Sequence, residues 1–371
     1  MKAQCNFDIP RKIFDLFFCE GKITEIEKNN SGNINQTYII TTHDDNGTKR
    51  MYTLQKVNTY VFSEPAKVMD NIAKVTDYLC NKYTQMYGSA DRRCLRVVRT
   101  KAGEIFHDNP QDGFWRCFNY IDEAKGYDKV EKLEHFYMAG KAFGEFQKVL
   151  ADFDASQLYE TIPDFHNTPK RLDTFKKAVE ENKAGRVDEV KEEIEFILSR
   201  EKKAGKIVEM MDKGLIPLRV THNDTKLNNV LIDDNTDEAI CVIDLDTVMP
   251  GTSVIDFGDA VRFGASTGAE DEPDLAKVSL DLNLYELFTK GFVGEVSGFL
   301  TSTEIDNLPL GAYTVTLELA ARFLTDYLDG DLYFKTTMPQ HNLIRTRTQL
   351  KLVKEMESKW DAMNEIVSKY K

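Results

Sequence analysis

Apolar residues change their spacing twice along the chain, and those changes divide it. Residues 8–19 have the spacing of a short helix, with Asp8 as its cap and Pro10 in its first turn. The next segments, "KITEIEKNNSGNINQTYIITT" and "TKRMYTLQKVNTYVF", are rich in β-formers and flank the turn cluster "HDDNG". That arrangement predicts an antiparallel hairpin. Ser63-Glu64-Pro65 then opens a helix whose buried stripe is Val68, Ile72, Val75 and Leu79. Short strands resume at "RVVRT", "EIFHD" and "GFWRCFNYI", with Asp112 and Gly113 marking the last turn. The first 120 residues therefore read as a small sheet with one long helix inserted after its second or third strand.

From Asp128 the period becomes helical. Val130, Leu133, Phe136, Ala139, Phe143, Phe146 and Val149 fall on one face of a long helix. A charged helical region follows from about Arg171 to Met211, broken at "KAGR". Residues 215–245 return briefly to β spacing before helices dominate to the end. The chain has no internal repeat and no low-complexity linker. The fold class is α+β: a β-rich N-terminal lobe over 1–120 and a mainly helical C-terminal lobe over 121–371 carrying a small hairpin.

Composition narrows the functional classes. A chain of 371 residues with 42% hydrophobic residues can bury a large core and favours two lobes. Lys plus Arg number 48 against 61 Asp plus Glu, a net charge of −13, which argues against nucleic acid as a partner. A small anionic ligand held by Mg²⁺ and a few local cations fits that balance. Cys5, Cys19, Cys80, Cys94, Cys117 and Cys241 are scattered without a CxxC pair and read as reduced, mostly buried thiols. The N-terminal stretch lacks a signal-peptide pattern, and no run nears the roughly 20 apolar residues of a membrane span. A soluble, cytoplasmic protein, monomeric or weakly oligomeric, is expected.

The chemistry concentrates in "RVTHNDTKLNNVLIDD". Leu218–Thr221 reads as a β approach, Val230–Ile232 as a strand and Ala239–Asp244 as its partner across "DDNTDE". Asp224 and Asn229 share the polar loop, and Asp244 ends the strand "AICVID". An amide oxygen and a carboxylate converging from adjacent strand ends are hard ligands of the kind Mg²⁺ takes. Asp224 is left to face an attacking hydroxyl. Asp-x4-Asn followed by a strand-end Asp is the phosphoryl-transfer pattern of kinases. The competing reading is an Asx-rich turn on an ordinary hairpin. Gly32, in "NNSGNINQTY", is the one glycine available for a phosphate-covering loop, and no Walker-type motif is present.

"HNDTKLNNVLID" followed by "VIDLDTVMPGTSVIDFGDAVRFGA" resembles the aminoglycoside phosphotransferase-like kinase superfamily, and within it the bacterial N-acetylhexosamine 1-kinases. "SGNINQTYII", "AGKAFGEFQKVLADF", "YETIPDFHNTPKR", "RFLTDYLDGDLYF" and "HNLIRTRTQLKL" extend the likeness over nearly the whole chain. The resemblance implies a protein-kinase-like two-lobe fold that uses ATP and Mg²⁺ to phosphorylate N-acetylglucosamine or N-acetylgalactosamine at the anomeric hydroxyl. Carried over by motif, Asp224 is the catalytic carboxylate, and Asn229 and Asp244 are magnesium ligands. Arg322 and Tyr333 contact the sugar, while Asn33 and Asn35 lie in the loop closing over substrate.

Two departures qualify the carry-over. Many relatives have Gly-His-Ile-Asn where this chain has Gly32-Asn33-Ile34-Asn35, which bears on sugar preference. The strand "YTLQKVN" offers Gln55 and Lys56 for the ATP phosphates, and alternation lets only one face the nucleotide. Asp256 and Asp259 are expected to brace the loop, and His222 to anchor its backbone. His166 is open between a substrate neighbour and a satisfied structural histidine. Asp246 is a candidate neighbour of the metal, and Phe114 and Trp115 are candidates for an adenine wall or core.

Overall fold

The computed structural model describes residues 7–29 and 34–371, so Gly32 and Asn33 lie outside the described residues. The chain begins with α1 (Asp8–Phe14), β1 (Lys22–Asn29), β2 (Gln36–His43) and β3 (Lys49–Lys56). Helix α2 (Pro65–Tyr87) precedes β4 (Val97–Val98), β5 (His107–Asn109) and β6 (Gly113–Asn119). These strands form one antiparallel sheet in the order β1-β2-β3-β6-β4, with β5 also on β6.

Local chemistry explains the pieces. At the β2–β3 turn, Asp44 accepts the N–H groups of Asn46 and Thr48 at 2.9 and 2.8 Å, and Gly47 adopts φ +81°. Pro65 sits in the first turn of α2, where its missing N–H costs nothing, and the expected stripe Val68, Ile72, Val75 and Leu79 is buried. Strand alternation splits the sheet. Tyr52 and Leu54 face α1 with Trp115 and Cys117, whereas Arg116 and its neighbour Gln55 lie on the α2 side.

Three expectations need correction, and one open choice is resolved. Helix α1 ends at Phe14 rather than Cys19, because Phe17 bridges to Thr100 and the Phe18 N–H donates to Arg99; Asp8 lies in its first turn, not at its cap. Cys80 of α2 and Cys94 form a disulfide with Cα atoms 6.1 Å apart, so these two are not separate thiols. The chain folds back after α2 and returns Cys94 to that helix. Cys19, Cys117 and Cys241 are free. Phe114 and Trp115 are each 2% exposed and belong to the core, Trp115 against Tyr38 and Phe114 against Phe106, so neither is an adenine wall. Among the described residues no helix is long and apolar enough to cross a membrane.

The second lobe starts where β7 (Ala124–Lys125) pairs with a later strand, residues 230–233. Helix α3 (Leu133–Val149) buries Phe136, Ala139, Phe143, Phe146 and Val149. Val130 precedes it and Leu133 is half exposed, so the apolar face is shorter than its pattern suggested. The charged region forms α4 (Thr168–Glu181), α5 (Lys191–Leu198), α6 (Glu201–Ala204) and α7 (Lys206–Asp212). Then come β8 (Arg219–Thr221), β9 (Val230–Asp233), β10 (Ala239–Val242) and β11 (Met249–Gly251). The β9–β10 hairpin is as expected, but β8 pairs with β11 in a ribbon of its own. The remainder is helical: α8 (Ser253–Gly264), α9 (Leu282–Val296), α10 (Ser302–Asp306), α11 (Leu308–Asp329), α12 (His341–Ser358) and α13 (Trp360–Tyr370).

Helix α11 runs through the core of this lobe with almost every side chain buried, packed on α8, α12 and α4. Its crossing with α8 depends on Gly258 and Gly311, since a Cβ on Gly311 would lie 2.0 Å from the Val254 carbonyl oxygen. Replacing Gly311 by Val should lower stability by about 3 kcal/mol or more, because overpacked cores relax poorly. Urea unfolding measures this, and an unchanged midpoint would contradict the close crossing.

Candidate active site

The polar loop after β8 is held from beneath by α8. Asp256, enclosed at 1% exposure, accepts the backbone N–H groups of His222 and Asn223, each at 2.8 Å, and Gln147 Nε2 at 2.5 Å. Burial pushes its pKa up, opposed by His222 and by these donors. One turn on, Asp259 accepts the Thr225 N–H at 3.0 Å and pairs with Arg262 at 2.9 Å. Burial works upward on Asp259 as well, but Arg262 and Lys226 hold its pKa below the usual range. Both carboxylates brace the loop, as the sequence led us to expect.

His222 has no nitrogen left for proton transfer. Its Nε2 meets the Ile243 carbonyl at 2.8 Å and its Nδ1 meets the Asp224 N–H at 3.3 Å, a pattern satisfied by one neutral tautomer. Thr247 Oγ1 donates to the His222 carbonyl at 2.6 Å. Asn223 adopts φ +62°, which Asn tolerates better than most residues, and its side chain reaches the Thr247 carbonyl at 3.0 Å. The strained backbone turns Asp224 outward, 28% exposed at the cleft.

The proposed ligands converge around Asp224. Asn229 donates to the Asp224 carbonyl at 2.7 Å and lies 3.3 Å from its Oδ2, leaving the amide oxygen as the atom available to a cation. The Ile243 N–H donates to the Asn229 carbonyl at 2.9 Å, which sets Asp244 beside the loop. Asp244 lies just past β10, not at its end, with φ +61°. Its side chain is exposed to solvent. Desolvation by the surrounding protein, and then the carboxylates of Asp246 and Asp224, push its pKa up to about 6. Such an under-neutralised set of hard oxygens fits a divalent cation. Among the described residues no three His, Cys, Asp or Glu side chains make a complete metal site, so water and phosphate oxygens would complete the shell.

Two nearby cations escaped the sequence reading. Lys226 Nζ lies 2.8 Å from Asp224 Oδ1; a cation two positions after the loop carboxylate was its one signal. Arg116 of β6 is 2% exposed and pairs with Asp246 at 2.5 Å, while its Nε donates to Gln55 Oε1 at 2.9 Å. Gln55 is therefore on the face shared with Arg116 and Asp246. Lys56 turns to the other face, over the Trp115 ring at 5.7 Å. Nothing in the β3 sequence pointed to a cation from the neighbouring strand. Asn35 ties the lobes together: Nδ2 donates to Asp246 at 2.8 Å, and Oδ1 accepts the Asn58 N–H at 3.0 Å. Asn228, which sequence gave no role, donates to Asp128 at 3.0 Å.

Arg322 and Tyr333 gather at a second corner. The Arg322 guanidinium lies over the Phe165 and Phe334 rings at 5.4 and 5.6 Å. Asp326 fixes the following loop, accepting the N–H groups of Leu332, Tyr333 and Phe334 at 2.8, 2.7 and 2.9 Å. Tyr333 is 73% exposed and packs edge-on against Phe334. His166 stands between this corner and the loop: it bonds Glu318 of α11 at 3.0 Å and acts electrostatically on Asp256 and Asp259.

A two-lobe fold with a carboxylate, an amide and a second carboxylate at the mouth of one braced loop defines a small-molecule phosphotransferase with a protein-kinase-like architecture. The chain belongs to the phosphotransferase enzyme family, whose model matches residues 25–287. Solved structures are similar over most of its length. Amicoumacin kinase, in complex with AMP-PNP, Ca²⁺ and Ami, matches at TM-score 0.56 and 11% identity, covering 93% of this chain and 91% of that one. A microcompartment-associated aminopropanol kinase matches at 0.55 and 14%, covering 96% and 98%. An aminoglycoside phosphotransferase from Alicyclobacillus acidocaldarius matches at 0.56 and 11%, covering 97% and 96%. At these identities the likeness concerns the fold.

Replacing Asp256 by Asn should set an NH₂ against a backbone N–H of the loop. Leaving that buried donor without an acceptor costs about 1–3 kcal/mol and should slow turnover as the loop loosens. Urea unfolding and steady-state rates together check this, and wild-type values in both would remove Asp256 from its bracing role.

Proposed function

We propose that the protein transfers the γ-phosphoryl group of ATP to the anomeric hydroxyl of an N-acetylhexosamine, N-acetylglucosamine or N-acetylgalactosamine, giving the α-1-phosphate and ADP. The observation that carries phosphoryl transfer is the Asp224–Asn229 contact on a loop braced by Asp256, with Asp244 beside it. Support for the acceptor comes from the N-acetylhexosamine 1-kinase motifs and from the Arg322 and Tyr333 corner.

In this reading Asn229 and Asp244 hold Mg²⁺ on the nucleotide. The bound ion supplies charge neutralisation on the phosphate oxygens. Asp224 orients the acceptor hydroxyl and takes its proton as the new oxygen–phosphorus bond forms and the bond to ADP breaks. Lys226, beside Asp224, limits repulsion between that carboxylate and the incoming phosphate. On the nucleotide side the choice between Gln55 and Lys56 falls to Gln55, assisted by Arg116, and Gly32 is kept as the phosphate-loop glycine. Asn35 holds the first lobe against Asp246, and the neighbouring Asn33 is kept as a sugar or phosphate contact.

The second reading is a kinase for another alcohol, and several similar structures bear on it: an aminopropanol kinase, and an ethanolamine kinase from Plasmodium vivax at TM-score 0.51 and 14% identity. An ammonium-bearing acceptor is disfavoured by the Arg322 guanidinium, which makes no hydrogen bond or ion pair among the described residues.

ADP release coupled to a panel of sugars, choline, ethanolamine and homoserine tests the choice. Turnover with N-acetylhexosamines, lost without Mg²⁺, is expected; turnover confined to another alcohol would sink the sugar reading. Asp224→Asn should cut turnover by about two to four orders of magnitude, with ATP affinity little changed. Retained activity would contradict its role.

A further inference from the structure

The corner between α4, α11 and the loop after α11 carries more unspent binding capacity than Arg322 and Tyr333 account for. Phe165 is its centre. Its carbonyl accepts Arg171 Nε at 3.2 Å, its ring lies 4.5 Å from the His166 ring, and Arg322 lies over its face. Among the described residues Arg171 makes that single hydrogen bond and no ion pair, and Arg322 has ring faces alone. The two guanidinium groups are close enough to repel each other: burial first, and then Arg322, hold the Arg171 pKa below the ordinary arginine value.

The buried carboxylates nearby are already occupied, Asp326 by the backbone of the loop after α11. Glu318, 1% exposed, accepts His166 Nδ1 at 3.0 Å and Thr168 Oγ1 at 2.6 Å. With Nδ1 donating to Glu318, His166 Nε2 is buried and has no partner among the described residues. Arg171 and Arg322 are part-buried, with Glu318 as a neighbouring charge but no ion pair of their own among the described residues. The buried ring nitrogen of His166 is costly unless a ligand meets it. The corner is tied to the loop's support, because His166 bonds Glu318 of α11, and α11 packs on α8, which carries Asp256 and Asp259.

We propose that His166 and Arg171 join Arg322 in binding the phosphate acceptor, and that this corner selects a group offering acceptor oxygens, a carbonyl or a carboxylate, over an ammonium group. The inference rests on the proposed reading that the acceptor lies against α11 beside Asp224. Guanidinium forks match a carbonyl or carboxylate oxygen in geometry and charge, whereas an ammonium group meets two like charges and finds no free carboxylate. His166 contributes Nε2, as donor when the ring is protonated and as acceptor for a sugar hydroxyl when it is neutral.

Steady-state kinetics of the wild-type protein, Arg171→Gln and His166→Asn, with N-acetylglucosamine, glucuronic acid and glucosamine as acceptors, tests this. The wild-type protein should prefer an acetamido or carboxylate sugar over glucosamine by about tenfold or more in kcat/KM. Each substitution should raise the KM of the preferred acceptor by about tenfold and leave the KM of ATP within about twofold, which general loosening of the fold would not do. Equal use of glucosamine, or acceptor KM values that stay within about twofold in both variants, would overturn the inference while leaving the kinase reading intact. If no hexose turns over, the proposed reaction fails on its own. The corner then stands if both substitutions raise the KM of a non-aminated alcohol, and falls if aminated alcohols are preferred. Should a variant fail to fold, the wild-type preference between N-acetylglucosamine and glucosamine decides.

Discussion

One buried carboxylate, Asp256, carries the organisation of the site, because it takes the N–H groups of His222 and Asn223 together. Those donors belong to a loop with no strand partner to satisfy them, and unsatisfied buried N–H groups are expensive. Satisfying them at one point fixes the backbone where Asn223 enters the left-handed region, and that turn sends Asp224 into the cleft. Asp256 itself is held by α8, and α8 is held by a glycine-to-glycine crossing with α11. The same α11 carries Glu318, Arg322 and Asp326. The Asp224 loop and the Arg322 corner are thus both supported by one packed helix pair.

Electrostatics at the cleft follow from this packing. Asp224, Asp244 and Asp246 are brought together with fewer fixed cations than carboxylates in contact, Lys226 on one side and Arg116 on the other. The imbalance suits a site whose missing positive charge arrives with the nucleotide. Where a strand lysine is expected, β3 offers Gln55, and a guanidinium from the adjacent strand reaches over it to Asp246.

What the sequence made legible was mostly local: the β2–β3 turn, the α2 stripe, the β9–β10 hairpin, and Asp256 and Asp259 as braces. The first three depend on residues close in the chain, where propensity and periodicity apply, whereas the braces span more than thirty residues and were read from the motif. The misses were long-range. Nothing near Cys80 announces Cys94, because their approach depends on how the chain returns after α2. The choice between Gln55 and Lys56, left open by alternation, and the place of Arg116 are settled only by the register of β3 on β6. Trp115 and Phe114 fall to the core, the default for aromatics there, once the two sheet faces are covered. The unspent Nε2 of His166 was invisible for the same reason, since Glu318, 152 residues on in the chain, takes the other ring nitrogen, Nδ1.

Phosphorus NMR of the product formed from ATP, Mg²⁺ and N-acetylglucosamine or N-acetylgalactosamine tests the central claim most directly. Transfer to an anomeric oxygen beside Asp224 predicts a phosphate signal coupled to the α-anomeric proton. A phosphate on the 6-hydroxyl, or no phosphorylated sugar with either substrate, would contradict it.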